Sequence, residues 1–196
     1  MSGTATLSRV VVLYESMFGA TRHVAATIAD QLRPFAELTL VDAADADPAE
    51  LVQAAFIVAG APTHAFGLSS ETTRKEARAT AERSHGDLVF EWADVSHGLR
   101  ELLRALPRAS KPTYFAAFST RSAKAQRLFT GSAARRIDRD IRAAGYLPLS
   151  PPHDFLVDAS HRLIDRQLLD AAEWGQHLAS RLNLGRERQL GQRPPG

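Results

Sequence analysis

The chain has 196 residues, 44% of them hydrophobic, which is enough to bury the core of one domain. Its 24 basic and 22 acidic residues leave a formal net charge of +2, and arginine supplies every cation except Lys75, Lys111 and Lys124. The absence of cysteine excludes disulfides, thiolate metal ligands and cysteine nucleophiles, and no apolar run reaches the length of a membrane span.

Strand-like and helix-like patterns alternate along the chain. Arg9–Tyr14 is a continuous apolar run suited to a strand covered on both faces, and Gly19–Arg33 has the period of an amphipathic helix. Glu37–Asp42 and Ala54–Gly60 read as the second and third strands, Ser70–Ser84 and Ser96–Leu106 as helices, and Thr113–Phe118 as the fourth strand. Ser132–Ala144 reads as a helix with Ser132 as its N-cap and Gly145 closing its C-terminus. Asp154–Val157 is the fifth strand and Ile164–Leu182 the last helix. The stretch from Phe66 to Asp94 is polar, charged and longer than a connector needs, so it is placed over the ligand edge of the sheet. Within it, Leu88-Val-Phe-Glu-Trp92 fits a packed loop or the start of a helix. Residues 1–184 form one domain in this reading, and Gly185–Gly196, rich in Gly, Pro, Arg and Gln, is expected to be a disordered tail. Five strands and five helices fit a three-layer α/β/α sandwich around a five-stranded parallel sheet of order 2-1-3-4-5.

In such a sheet, ligands bind beyond the carboxyl ends of the strands, where the strand order reverses. Three loops meet there: Glu15–Thr21, Gly60–Gly67 and Ser119–Lys124. The first, Ser16-Met17-Phe18-Gly19-Ala20-Thr21, ends a strand and opens a helix. Unpaired N–H groups and the partial positive charge of a helix N-terminus favour an anion such as phosphate, and two hydroxyls and a glycine assist. In the second, Pro62 stiffens the strand exit, and Thr63, His64, Ala65, Phe66 and Gly67 present a hydroxyl, an imidazole and a ring. In the third, Ser119, Thr120 and Arg121 place donors and a guanidinium behind the fourth strand. No G-x-G-x-x-G opens the first helix, and neither G-x-x-x-x-G-K-[ST] nor G-x-S-x-G occurs. Gly60-Ala61-Pro62 stands where a phosphoacceptor receiver needs an acidic residue.

The first loop resembles the flavodoxin signature: an aromatic at the strand end, a Ser or Thr, a small residue, a Thr and an Ala-rich helix. Tyr14, Ser16, Gly19, Thr21, Ala25 and Ile28 match it in place. Gly60-Ala-Pro-Thr-His64 resembles the family's second flavin loop, and the likeness runs from Arg9 to Leu182. A flavodoxin-like fold and a non-covalent FMN follow from this resemblance. Its phosphate would sit in Ser16–Thr21, and its ring between Pro62–Gly67 and the Ser119–Ser122 loop. The resemblance also implies an electron-transfer protein working between a reductase and an acceptor, as a monomer or homodimer. The alternatives are an FMN-dependent NAD(P)H:quinone or nitro-reductase, and a flavin-free interaction module.

Three departures stand out, one being that Asp158-Ala-Ser-His161 near the last strand is more charged than is expected beside a flavin. Many flavodoxins flank the flavin with Trp and Tyr, whereas the candidates here are His64, Phe66 and Phe118; many are also strongly acidic, and this chain is not. Arg121 suggests a fixed cation beside the flavin, worth about 4 kcal/mol at ~4 Å and an effective dielectric near 20. The plain alternatives are helix capping for Ser16 and Thr21, a solvated turn for Thr63 and His64, loop packing for Phe66 and a surface ion pair for Arg121. The other histidines have no metal-ligand spacing, so no metal is expected. Scattered arginines without interleaved aromatics predict no nucleic-acid partner, and the lack of a signal-peptide pattern predicts a cytoplasmic protein.

Overall fold

Alternation of side chains along the apolar strands sorts the core into two halves. Val10, Val12, Phe56, Val58, Ala116 and Phe118 face one side of the sheet, and Val11, Leu13, Ile57, Ala59, Phe115 and Ala117 face the other. The computed structural model describes residues 8–64, 67–92, 95–124 and 131–191, with side chains to Asn183. Its strands are β1 (Ser8–Tyr14), β2 (Ala36–Asp42), β3 (Phe56–Pro62), β4 (Tyr114–Ser122), β5 (Leu147–Pro148) and β6 (His153–Val157). All pair in parallel, in the order β2-β1-β3-β4, with β5 and β6 both on β4.

The first half of the core is covered by α1 (Ala20–Leu32) and α6 (Gln167–Gly191), which supply Val24, Ile28, Leu32, Ala171, Trp174 and Leu178. The second half is covered by α2 (Pro48–Leu51), α4 (Leu99–Ala105) and α5 (Ala133–Ala143), through Leu51, Leu99, Leu102, Leu103, Ile137 and Ile141. The remaining helix, α3 (Glu71–Arg83), buries only Arg74, Ala77 and Ala81. Ser70 starts it with a reciprocal box, accepting from Thr73 N while Thr73 Oγ1 accepts from Ser70 N.

The strand order expected from the sequence is the one observed, with one elaboration. The edge strand is split: Leu147 pairs with Tyr114 and His153 with Phe118, so the offset grows from 33 to 35 and two residues bulge out. Pro148, Pro151 and Pro152 lack the N–H groups that an unbroken ladder would use. Strands β3 and β4 extend further than expected, taking Pro62 and Ser119–Ser122 into the sheet, while α4 starts at Leu99 rather than Ser96. The backbone of α6 is helical to Gly191, seven residues into the segment expected as a disordered tail. Arg186, Glu187, Arg188, Gln189 and Leu190 are good helix formers, which accounts for the continuation. Among the described residues no helix is long and apolar enough to cross a membrane.

Candidate functional site

Strand β1 delivers its last residues into a turn that a glycine makes possible. Gly19 has φ 86°, the left-handed region, and a Cβ there would lie 2.9 Å from Glu91 Oε1. Helix α1 begins at the next residue with no side-chain cap, so the N–H groups of its first turn face the loop unclaimed by a capping side chain. Ser16 Oγ is buried and has no hydrogen-bond partner among the described residues. Thr21 Oγ1, by contrast, lies 2.8 Å from Thr120 Oγ1 and ties this loop to the end of β4.

The segment expected over the ligand edge folds onto the back of this turn. Glu91 N donates to Met17 O at 2.9 Å, Arg22 grips the Glu91 carboxylate with two bonds of 2.9 and 3.0 Å, and Met17 packs with Ala77 and Trp92. Leu88–Trp92 is therefore a packed loop. Beneath it lies buried charge. Glu15 accepts from Ser69 Oγ and from Leu99 N, and the fully buried Arg74 donates to Ser69 Oγ, to the carbonyls of Val95 and Ser96, and to Glu101. Burial pushes the Glu15 carboxyl above its ordinary range, against the pull of Ser69, Leu99 and Arg74.

The second and third loops are joined by polar ties. Thr63 N donates to Thr120 O at 2.7 Å, and Ala133 N at the start of α5 donates to Thr63 Oγ1 at 3.1 Å. Ser119 Oγ and Ser132 Oγ both donate to Asp154 Oδ1 at 2.7 Å, and Arg121 Nε lies 3.4 Å from Asp154 Oδ2. His64 and Gly67 exchange both backbone hydrogen bonds. Burial, reinforced by His161 and Arg74, pushes the His64 imidazole down to about 4.

A cavity of about 180 Å³ opens between these loops. Of the residues singled out in the sequence, Ser16, Met17, Phe18, Ala20, Thr21, Pro62, Thr63, His64, Thr120 and Arg121 line it. Gly19 shapes the turn, Ser119 is buried behind the wall, Gly67 faces a neighbouring groove, and Ala65 and Phe66 lie outside the described residues. Phe118 does not flank the cavity: its ring is fully buried and packs edge-on against Phe155 and Trp174. The alternation of β4 explains this, since Phe118 shares the face of Ala116 toward α1 and α6.

Ser122 of the third loop lines it as well, and so do Val157, Asp158, Ala159 and His161 from the end of the last strand onward. The His161 ring stacks on Phe18 with centroids 4.4 Å apart and planes 32° from parallel. Position after the last strand, at its carboxyl end, was the available signal for this segment.

A family model described as Flavodoxin matches residues 12–146 of the sequence. The chain belongs to the flavodoxin family. No curated protein matches it. Solved structures resemble it across most of its length: a flavodoxin from the domain Archaea, at 17% identity and a TM-score of 0.58, covers 89% of this chain and 99% of its own. The Streptococcus pneumonia TIGR4 flavodoxin has 14% identity and a TM-score of 0.60, over 88% and 99%. A flavodiiron core, Flv1 from Synechocystis sp. PCC6803, has 19% identity and a TM-score of 0.60, over 92% of this chain and 37% of that one.

Flavodoxin family proteins bind flavin, typically FMN, and the donor set here fits the phosphate of that group. The loop offers backbone N–H groups, an uncapped helix N-terminus and one buried hydroxyl without a partner, Ser16 Oγ. The cavity is smaller than the ~300–1,000 Å³ of pockets that enclose a whole cofactor. It would enclose only part of such a group.

Proposed function

We propose that this flavodoxin-family chain binds FMN non-covalently at the Ser16–Thr21 loop and passes electrons between redox partner proteins. The observation that carries the reading is Ser16 Oγ, a buried hydroxyl with no partner among the described residues, set in a loop that ends on an uncapped helix N-terminus. A hydrogen bond to a charged group contributes about 1.5–3 kcal/mol net, so several such donors hold a phosphate without a lysine or arginine. Ser16, Met17, Phe18, Gly19, Ala20 and Thr21 are assigned to the phosphate. Pro62, Thr63, His64, Ala65, Phe66, Gly67, Ser119, Thr120 and Arg121 are assigned to the ring and its linker, with Phe18 and His161 at the mouth.

Bound FMN supplies one- and two-electron transfer, while the protein supplies position and electrostatics. His64 stays neutral at pH 7 and can donate or accept one hydrogen bond without adding charge beside the ring. Arg121, held against Asp154, keeps a cation on the wall without leaving it unbalanced.

The test is a visible spectrum of the purified protein followed by titration of the stripped protein with FMN and with riboflavin. Flavin bands, and FMN bound far more tightly than riboflavin, are the expected result. Equal affinity for the two would remove the phosphate assignment, and no affinity for either would overturn the reading.

A further inference from the structure

Charge around the site is sorted by side. Asp42 ends β2 and Asp45 and Asp47 follow it, whereas Arg100, Arg135, Arg136 and Arg139 line a groove of about 450 Å³ on the α5 side. Among the described residues Asp140 is the carboxylate paired with this cluster, 2.7 Å from Arg136 and 3.8 Å from Arg139, so four cations against one anion give +3. Arg100 is fixed by the backbone carbonyls of Leu68 and Ser69, while Arg135 and Arg139, one helical turn apart, are exposed.

The groove adjoins the cavity. It includes Ser132, which donates to Asp154, the counter-ion of Arg121, and the next residue, Ala133, donates to Thr63. None of its polar side chains is both buried and unpartnered, in contrast to Ser16, so it is not built to fix a small ligand. Rich in arginine drawn from α5 and, through Arg100, from α4, it suits an extended anionic surface, for which guanidinium groups offer paired donors.

We propose that this arginine groove docks the carboxylate-rich face of an acidic redox partner protein, placing that partner beside the bound cofactor. The inference rests on the FMN reading. Its test uses a fluorescein-labelled decapeptide of alternating Asp and Glu, followed by anisotropy in 50 mM salt. Arg135→Glu/Arg139→Glu weakens peptide binding at least tenfold and leaves the FMN titration unchanged. Arg33→Glu/Arg181→Glu, on exposed positions of the α1 and α6 side, makes the same change in net charge and alters binding less than twofold. Raising the salt to 200 mM weakens the wild-type complex.

In the FMN-loaded, reduced protein, ferricyanide serves as a trivalent anionic probe. Two ferricyanide ions each take one electron to become ferrocyanide, and the flavin returns to its oxidised form, releasing the protons taken up on reduction. The groove variant slows this oxidation at least threefold. A control pair as damaging as the groove pair, a groove pair without effect, or tighter binding of a ten-nucleotide oligo-dT would overturn the docking surface. A wild-type protein that binds no FMN would overturn the flavin reading, and with it the redox role of the groove, whatever the peptide does.

Discussion

Replacing Ser16 by alanine separates the cofactor's contribution from the protein's own. Leaving a buried hydroxyl unsatisfied costs about 1–3 kcal/mol, and Ser16 Oγ has no partner among the described residues. Ser16→Ala removes that liability, so the apoprotein is expected to be as stable as the wild type or more stable, by up to about 1 kcal/mol once the loss of packing is included. Binding moves the other way. Loss of one hydrogen bond to a phosphate removes about 1.5–3 kcal/mol, which weakens FMN between about tenfold and about 150-fold. Riboflavin, which has no phosphate, keeps its affinity. Urea unfolding of the apoprotein and fluorescence quenching by the two flavins measure all three effects. A variant destabilised by more than about 1 kcal/mol, or one that weakens riboflavin as much as FMN, would refute the reasoning, because Ser16 would then hold the loop rather than the ligand. Thr21→Ala is the contrasting case. Its hydroxyl already bonds Thr120, so it loses apoprotein stability as well as FMN affinity.

Four further outcomes follow from the geometry. Unfolded His64 takes up a proton near pH 6.5 and folded His64 only near 4, so stability falls as pH drops through that window, by at most about 3 kcal/mol and less where solvent screens the ring; thermal unfolding of His64→Asn across pH 4–7 is expected to lack this slope. Gly60→Ala places a Cβ 2.0 Å from the Phe118 ring, inside the core, and is expected to cost about 1–3 kcal/mol or prevent folding, as measured by denaturant titration. Arg74→Met strips the buried Glu15–Ser69 pair and Glu101 of their cation and is expected to cost about 3–5 kcal/mol, with Glu15→Gln milder because it removes the charge rather than its partner. Arg121→Ala is expected to lower the reduction potential of the loaded protein, by no more than the ~0.17 V that about 4 kcal/mol represents for one electron; an unchanged redox titration would place Arg121 too far from the ring to act.

What the sequence made legible was local. The change from a continuous apolar run to a 3.6-residue period marked the junction of β1 and α1, and with it the loop that carries Ser16 and Thr21. The parallel order followed from alternation of elements and needed no knowledge of contacts. What stayed hidden depends on partners far along the chain. Arg74 sits in a helix whose composition reads as solvated, yet it is fully buried because Glu15 and Glu101 meet it from 59 and 27 residues away. Leu88–Trp92 has no periodicity, and its place is set by Met17 and Arg22. His161 adopts φ 59°, a conformation that propensity does not favour, and its contact with Phe18 spans the cavity mouth. Phe118 is the different case, since the two-residue repeat of β4 already pointed its ring away from the loops.

The site can be read from which hydroxyls are satisfied. Parallel pairing fixes the ends of β1, β3, β4 and β6 relative to one another, but strand register alone does not fix the loops beyond them. Side-chain ties extend that register: Thr21 to Thr120, Thr63 to Ala133, and Ser119 and Ser132 to the shared Asp154. Ser69 is engaged by Glu15 and Arg74, Thr113 by the Lys111 carbonyl, and Ser150 by that of Pro151. Among the buried hydroxyls of the described residues, Ser16 alone stands outside this network. Trp92 Nε1 is a second buried donor without a hydrogen-bond partner among the described residues, but Ser16 lines the cavity and Trp92 does not. The neighbours of Ser16 are backbone N–H groups at a positive helix end, which favours an anionic acceptor there and is the ground of the proposed phosphate site.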